Sequence, residues 1–195
     1  MRKASLADRP RIVDILAPAF EGNKSVNYVV KGDSHRTRRI RRLMRYSFNI
    51  CNKFGEVWIS DDGQACALVL FMEKKKTTLQ TIFWDIDLAW RVIGFNRVKA
   101  VLKRDEMIKA NHPKEAFAYL FFLGVDPDVQ GKGSGSALMR EVIAHYDSLN
   151  RPIYLETSME KNLPFYKKLG FEIFSTVELT YTLYIMRRSA NVPTQ

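Results

Sequence analysis

The sequence predicts one domain of α/β (α+β) class spanning residues 1–195, with a central sheet flanked by helices. Three observations carry that expectation. Stretches of helical period alternate with short β-rich runs, in the order helices, hairpin, helix, then β-α-β-α-β-β. One run, AFAYLFFLGV (116–125), is apolar almost throughout, as a central strand covered on both faces must be. At 195 residues, 46% apolar and 27% charged, the chain is long enough for a full core and ordinary for a globular protein.

Residues 2–4 suit a short first strand. SLADRPRIVDILAPAF follows with helix-start chemistry: Ser5 or Asp8 can cap, Pro10 fits a first turn, and Ile12, Ile15, Leu16 and Phe20 share a face. A loop with Gly22 and Gly32 leads to a basic helix over 35–51. There Ile40, Leu43, Met44, Phe48 and Cys51 fall at helical spacing and the arginines of HRTRRIRRLMR take the other face. EVWIS (56–60), a DDG turn and QACALVLFME (64–73) read as a β-hairpin. Residues 79–111 hold Trp84, Trp90, Phe95 and a mostly helical pattern, one or two helices lining a surface or pocket. Beyond the 116–125 strand, a glycine turn opens a helix with Ala137, Leu138, Val142 and Ile143 inward, reaching about 149. PIYLETS (152–158) is a buried strand, and NLPFYKKLG (162–170) a short helix that Gly170 can end. FEIFSTVEL and TYTLYIMRR give two final antiparallel strands, and the tail SANVPTQ is expected to fray. No repeat, low-complexity segment or linker divides the chain.

Composition narrows the function classes. No apolar run approaches the ~20 residues of a membrane span, and MRKASLADRP lacks a signal-peptide core. A cytoplasmic protein without a membrane partner is therefore expected. Cys51 and Cys66 sit among apolar residues and read as buried small hydrophobes; with three histidines they make no metal-ligand spacing. His35 and His145 read as helix-surface residues, and Lys74–Lys76 as a solvated strand end. The net charge of +10 suits an anionic partner: nucleic acid, a membrane surface or a phosphorylated cofactor. Aromatic residues are not interleaved with the basic run, so nucleic acid is not expected.

The sharpest signal is VDPDVQGKGSGSALM (125–139), with glycines at 131, 133 and 135. A buried strand, a glycine turn and a helix start form an anion site. The first helical N–H groups have no partner and carry partial positive charge, and glycines let a phosphate approach them. Ser134 and Ser136 add hydroxyls and Lys132 adds charge. Neither G-x-x-x-x-G-K-[ST] nor G-x-G-x-x-G fits this spacing.

Gln130, Gly133 and Gly135 resemble the [QR]-x-x-G-x-[GA] acetyl-CoA loop of the GNAT superfamily of N-acetyltransferases. A second block, LETSMEKNLPFYKKLGF (155–171), resembles that superfamily's C-terminal signature, especially in the puromycin N-acetyltransferase type. The resemblance implies a mixed, mostly antiparallel sheet with a splayed parallel strand pair that holds the cofactor. It further implies an acetyl-CoA-dependent N-acetyltransferase (EC 2.3.1.-) in which a neutral amine attacks the thioester directly. The cofactor pyrophosphate would lie on the backbone of Gly131 to Ser136, and its pantetheine arm along Leu123 and Val125, with an N–H near Leu123 polarising the carbonyl. Tyr166 matches the tyrosine that protonates the leaving thiolate, and Asn162 the asparagine that contacts the cofactor arm; an N-cap role would suit Asn162 equally. Many relatives place a glutamate on the strand before the loop, and this strand has no acid. Glu156 is then the best candidate base, with a water chain as the alternative, and His112 could face the acceptor pocket. A small-molecule amine, aromatic or hydrophobic, is the expected acceptor, with Trp84 and Trp90 as candidate pocket walls. A protein or peptide amine, or a non-catalytic acyl-CoA-binding regulatory domain, are the alternatives; a homodimer is left open.

Overall fold

In the computed structural model, which describes residues 1–190, the strands are β1 (Arg2–Lys3), β2 (Gly55–Ile59), β3 (Ala65–Leu70), β4 (Ala118–Val125), β5 (Ile153–Thr157), β6 (Glu172–Glu178) and β7 (Thr182–Arg188). They form one sheet in the order β1-β2-β3-β4-β5-β7-β6, antiparallel throughout except for β4 and β5. Seven helices surround it: α1 (Arg9–Ala19), α2 (Lys24–Val29), α3 (Arg36–Phe54), α4 (Leu79–Leu88), α5 (Phe95–Lys109), α6 (Ser134–Ser148) and α7 (Leu163–Lys168). Most of the SANVPTQ tail lies outside the described residues. No helix among those described is long and apolar enough to cross a membrane.

Alternation along the central strands splits the core into two layers. On β3, Cys66, Leu68 and Leu70 face α1 and α3, where Ile12, Ile15, Leu16, Met44 and Phe48 are buried. Ala65, Ala67 and Val69 face the other way, against Leu138, Met139 and Val142 of α6. All six β3 residues are buried, as a strand covered on both faces requires. Both cysteines are buried and unpaired, and burial pushes the Cys66 thiol up to about 12.

One segment departs from the sequence expectation, and a second, expected as one or two helices, gains a detail. The loop between Gly22 and Gly32 contains α2, whose start is capped by Asn23: its Oδ1 accepts from Val26 N–H at 3.0 Å. Six residues are less than two turns, too few to show a period. Residues 79–109 form two helices joined by a π-helical turn, Ala89–Ile93, which Gly94 ends at φ +84°.

The parallel pair is where the sheet opens. Register between β4 and β5 covers three pairs only, Ala118↔Ile153, Tyr119↔Tyr154 and Leu120↔Leu155. Beyond Leu120, β4 continues to Val125 bonded only to β3. A bulge sits at the parting point: Leu68 pairs with Phe122 and Val69 with Leu120, leaving Phe121 as the extra residue. A bulged strand bends, and this bend coincides with the divergence from β5.

Candidate active site

The open end of β4 leads straight into the glycine turn. Gly131 and Gly133 adopt φ +83° and +91°, the left-handed region that favours glycine, and a Cβ on either would meet nothing within 4 Å. Gly135 is required by contact instead: its Cβ would lie 2.8 Å from Val125 Cγ2, because the start of α6 presses on the end of β4. Gly133 is the N-cap of α6, and no side chain caps this helix. The Ser134 and Ser136 hydroxyls make no hydrogen bond among the described residues, and the exposed Lys132 has no acidic partner there. Backbone donors, two hydroxyls and one ammonium thus share one short turn, with open space beside Gly131 and Gly133.

The turn is anchored at its entry. Gln130 Nε2 donates to Val125 O at 3.3 Å, and the Asp126 carboxylate takes the Arg11 guanidinium of α1 at 2.7 Å. The Asp128 N–H and Arg11 hold the Asp126 carboxyl below its usual range. Leu123 and Val125, on the edge facing away from β3's pairing partners, are half-buried against the α6 layer.

Across the gap stands α7. Tyr166 packs in the same core layer as Leu120 and Leu155, its ring edge-on to Phe165 and Phe171. Burial pushes its phenol well above the ordinary value. The hydroxyl has no hydrogen-bond partner among the described residues. Asn162 occupies the N-cap of α7, yet its side chain makes no capping bond. The helix therefore does not use the amide that the sequence offered it.

The opposite layer holds a polar cluster. Glu156 follows the last β5 residue paired with β4 and lies on the face of Tyr154 and Tyr119. Its Oε1 lies 3.2 Å from His112 Nε2, with both side chains about one-tenth exposed. Sequence reading singled out both residues without linking them; 44 positions separate them. The His112 ring stacks near Phe117 and Tyr119, at 5.3 and 5.2 Å. Burial, then the Glu156 charge, push the Tyr119 phenol well above its ordinary value. From α5, the buried Arg104 reaches the Tyr181 hydroxyl at 3.1 Å, Asp105 at 2.8 Å and Ser25. Burial raises the Asp105 carboxyl despite Arg104, and Lys109 adds charge nearby. Ser158 closes the rim: its Oγ accepts from Ser25 N–H at 3.2 Å and meets Asn23 at 3.3 Å, tying α2 to the end of β5. Arg104, Tyr181, Ser25 and Ser158 carried no signal in the sequence, because each is a common residue placed only by long-range contacts.

Other expectations resolve elsewhere. Trp84 lies between α3 and α4, in a cleft with Arg42, Arg45 and Tyr46, and Trp90 is mostly exposed on the surface. Neither joins the His112–Glu156 cluster. His145 is not a bare surface residue: Nε2 lies 3.3 Å from Glu56 and the ring packs on Trp58. On α3, Arg39 pairs with Asp33 at 2.8 Å and Arg41 with Asp14 at 2.5 Å, whereas Arg38 and Arg45 have no carboxylate partner among the described residues. His35, Arg38, Arg39, Arg42, Trp90 and Arg91 line an open cleft of about 430 Å³ on this side. No group of three or more metal-ligating side chains occurs among the described residues.

Comparison with known proteins agrees with this architecture. A curated mycothiol acetyltransferase of Propionibacterium freudenreichii is 38% identical over 60 residues; the match spans 29% of this chain and only 19% of that protein. An acetyltransferase from Corynebacterium glutamicum, described as histone acetyltransferase HPA2 and related acetyltransferase, superposes with TM-score 0.68 at 20% identity, covering 100% of this chain and 97% of that one. Arylalkylamine N-acetyltransferase 2 from Aedes aegypti gives 0.63 at 16% identity, covering 97% and 98%. The C-terminal condensation domain of Ebony, solved with beta-alanyl-dopamine, gives 0.64 at 9% identity, covering 96% and 97%. At these identities the structures attest the fold. The sequence pattern of the acetyltransferase (GNAT) domain matches residues 53–173, well over half the chain, and the chain belongs to that family.

Proposed function

We propose that this chain is an N-acetyltransferase that uses acetyl-CoA to acetylate a primary amine of a small molecule by direct attack. The observation that carries the reading is the parted β4–β5 pair opening onto an uncapped, glycine-lined helix start. Acetyl-CoA, when bound, supplies the acyl group and leaves as a thiol. The residues present fit it. Backbone N–H groups from Gly131 to Ser136, with Lys132, Ser134 and Ser136, hold pyrophosphate charge, and Gly135 lets the helix start close on β4. Gln130 fixes the exit of the strand. The free edge of β4 at Leu123 and Val125 offers backbone groups to an extended arm, apart from the Val125 carbonyl that Gln130 takes, and Asn162 offers an unused amide.

Tyr166 holds its proton because burial raises it, which suits a donor to a departing thiolate (ordinary thiol pKa ~8.5). On the other face, His112 accepts the amine proton, and Glu156 orients the ring and stabilises the cation so formed. This pair supplies the function that a β4 glutamate would otherwise provide. Tyr119, Phe121, Phe122 and Phe20 make a run of ring contacts on the His112 side of β4, which an aromatic amine would extend. Relatives that share the fold include proteins described as arylalkylamine N-acetyltransferases. A peptide amine is the second reading, favoured by the unpaired Arg38 and Arg45 on the same side of the sheet.

Isothermal titration with acetyl-CoA, beside CoA and ATP, tests the cofactor. Thiol release with tryptamine, phenethylamine and acidic peptides tests the acceptor. Tight acetyl-CoA binding with release on the aromatic amines is the expected result. No binding at millimolar acetyl-CoA would refute the proposal, and binding without release on any amine would turn it towards a regulatory acyl-CoA-binding domain.

A further inference from the structure

Helix α4 is apolar on two sides. On the inner side Thr81 is buried and Trp84 and Leu88 pack against the core, flanked by Asp85, which accepts from the Tyr46 hydroxyl at 2.7 Å, and Asp87, which meets Arg91 at 3.1 Å and Arg42 at 3.7 Å. A second apolar side faces solvent. Leu79 is 88% exposed, Ile82 43%, Phe83 69% and Ile86 55%, and Trp90 in the turn that follows is 65% exposed. These positions recur at helical spacing and form one ridge. Phe95, 68% exposed, extends it, its ring 6.1 Å from Trp90.

A surface helix that lacked a partner would carry its charges on this side. Each large aromatic side chain holds ~150–250 Å². At the exposures above, three aromatic and three aliphatic residues exceed the ~300–600 Å² of the largest apolar patch on a typical monomer. The ridge approaches the ~800 Å² per partner of a standard protein interface.

We propose that the α4 ridge is the contact face of a homodimer, seated on the same ridge of a second copy across a two-fold axis. Area is the first argument. The second is charge. A helix that lies on an anionic bilayer sets Lys and Arg beside its apolar face, whereas α4 contains two aspartates and no basic residue. Of the neighbouring cations, Arg42 and Arg91 are occupied by Asp87 and Lys53 by Gln80 of α4, while Arg38 and Arg45 have no carboxylate partner among the described residues and lie on α3 rather than on the ridge. A ridge uncharged along its own length is self-complementary, as an isologous contact requires. The dimer would hold α4 and α5 against each other's counterparts and so steady the segment that carries Arg104 and His112.

Light scattering on the eluting protein reads this directly and does not depend on acetyl-CoA binding. The native chain should elute at twice its 22.6 kDa mass. Phe83→Asp combined with Ile86→Asp should elute at the single mass with unchanged circular dichroism, since both side chains are exposed. Leu149→Asp, at an exposed leucine remote in sequence from the ridge, should stay dimeric. Dilution of the native protein should also move tryptophan emission to longer wavelength, a shift absent in Trp90→Phe; this readout needs no double variant. A native chain of single mass at its highest soluble concentration would overturn the proposal, as would a double variant that remains dimeric. A monomer that sediments with phosphatidylglycerol vesicles would overturn it too and give the ridge to a membrane.

Discussion

The two faces of the β4–β5 gap solve different chemical problems with different materials. On the α6–α7 face the proposed working groups are backbone donors at Gly131–Ser136, one buried phenol and one free amide, with Lys132 as the charge in the turn itself. On the α1–α5 face they are side chains in mutual contact: His112, Glu156, Tyr119, Arg104 and Asp105. A phosphate is held by dipoles that cannot change protonation, so a short local motif suffices. Moving a proton needs titratable groups at fixed separation, which only tertiary packing provides. The arginine face of α3 adds a warning. It holds much of the chain's positive charge, but carboxylates neutralise much of it, so charge in the sequence did not mark the best anion site.

The sharpest test of this division is Tyr166→Phe. Loss of the donor should lower kcat about hundredfold and leave the acetyl-CoA dissociation constant within about twofold, by stopped assay and calorimetry. Burial raises this phenol, so it stays protonated below its ordinary value of 10.0 and no alkaline loss of rate below that pH should depend on it. An alkaline limb below that point that vanishes in the variant would contradict the burial argument.

His112→Gln comes next, at about ten- to hundredfold in kcat. Arg104, Asp105, Tyr119 and Lys109 surround the pair and are unchanged in this variant. Acetyl-CoA affinity should hold; weakening equal to that of a glycine-loop variant would erase the distinction between the faces.

Gly133→Val probes the backbone side. A β-branched residue at φ +91° is strained by ~1–2 kcal/mol, and its methyls would stand in the open space above the turn. Acetyl-CoA affinity should fall about tenfold or more, whereas Arg38→Ala on the other face should change it by less than about twofold. The reverse ranking would move the anion site to α3.

The smallest effect belongs to the cysteines. Burial raises both thiols, so a thiol reagent should label neither in the native protein and both after unfolding. The sign for stability follows. Folded Cys66 keeps its proton to about 12 against an ordinary 9.0, so its contribution is whole below 9.0 and is lost as pH rises towards 12. Melting temperature should decline over that window.

Much of the architecture was legible in advance because each element announced itself locally. AFAYLFFLGV reads as a two-face-buried strand, the hairpin at 56–73 by alternation and its DDG turn, and α6 by glycines before an amphipathic stretch. Periodicity over 79–111 gave helices but not their orientation. Positions 79, 82, 83, 86 and 90 share a face that the fold leaves in solvent, because Thr81, Trp84 and Leu88 of the same helix pack inward instead. Helix α2 was missed because its stability comes from Asn23 and Ser158, the latter more than a hundred residues distant in sequence.

By itself, then, the sequence determined the order of elements, the two-faced sheet and the helix start fit for a phosphate. Each follows from period, propensity and steric freedom within a dozen residues. Tertiary structure alone decided where β4 and β5 part, that His112 finds Glu156, that the Asn162 amide stays free and that α4 shows a second apolar side to solvent. Those outcomes depend on which distant groups meet and satisfy one another, and no local pattern encodes such a meeting.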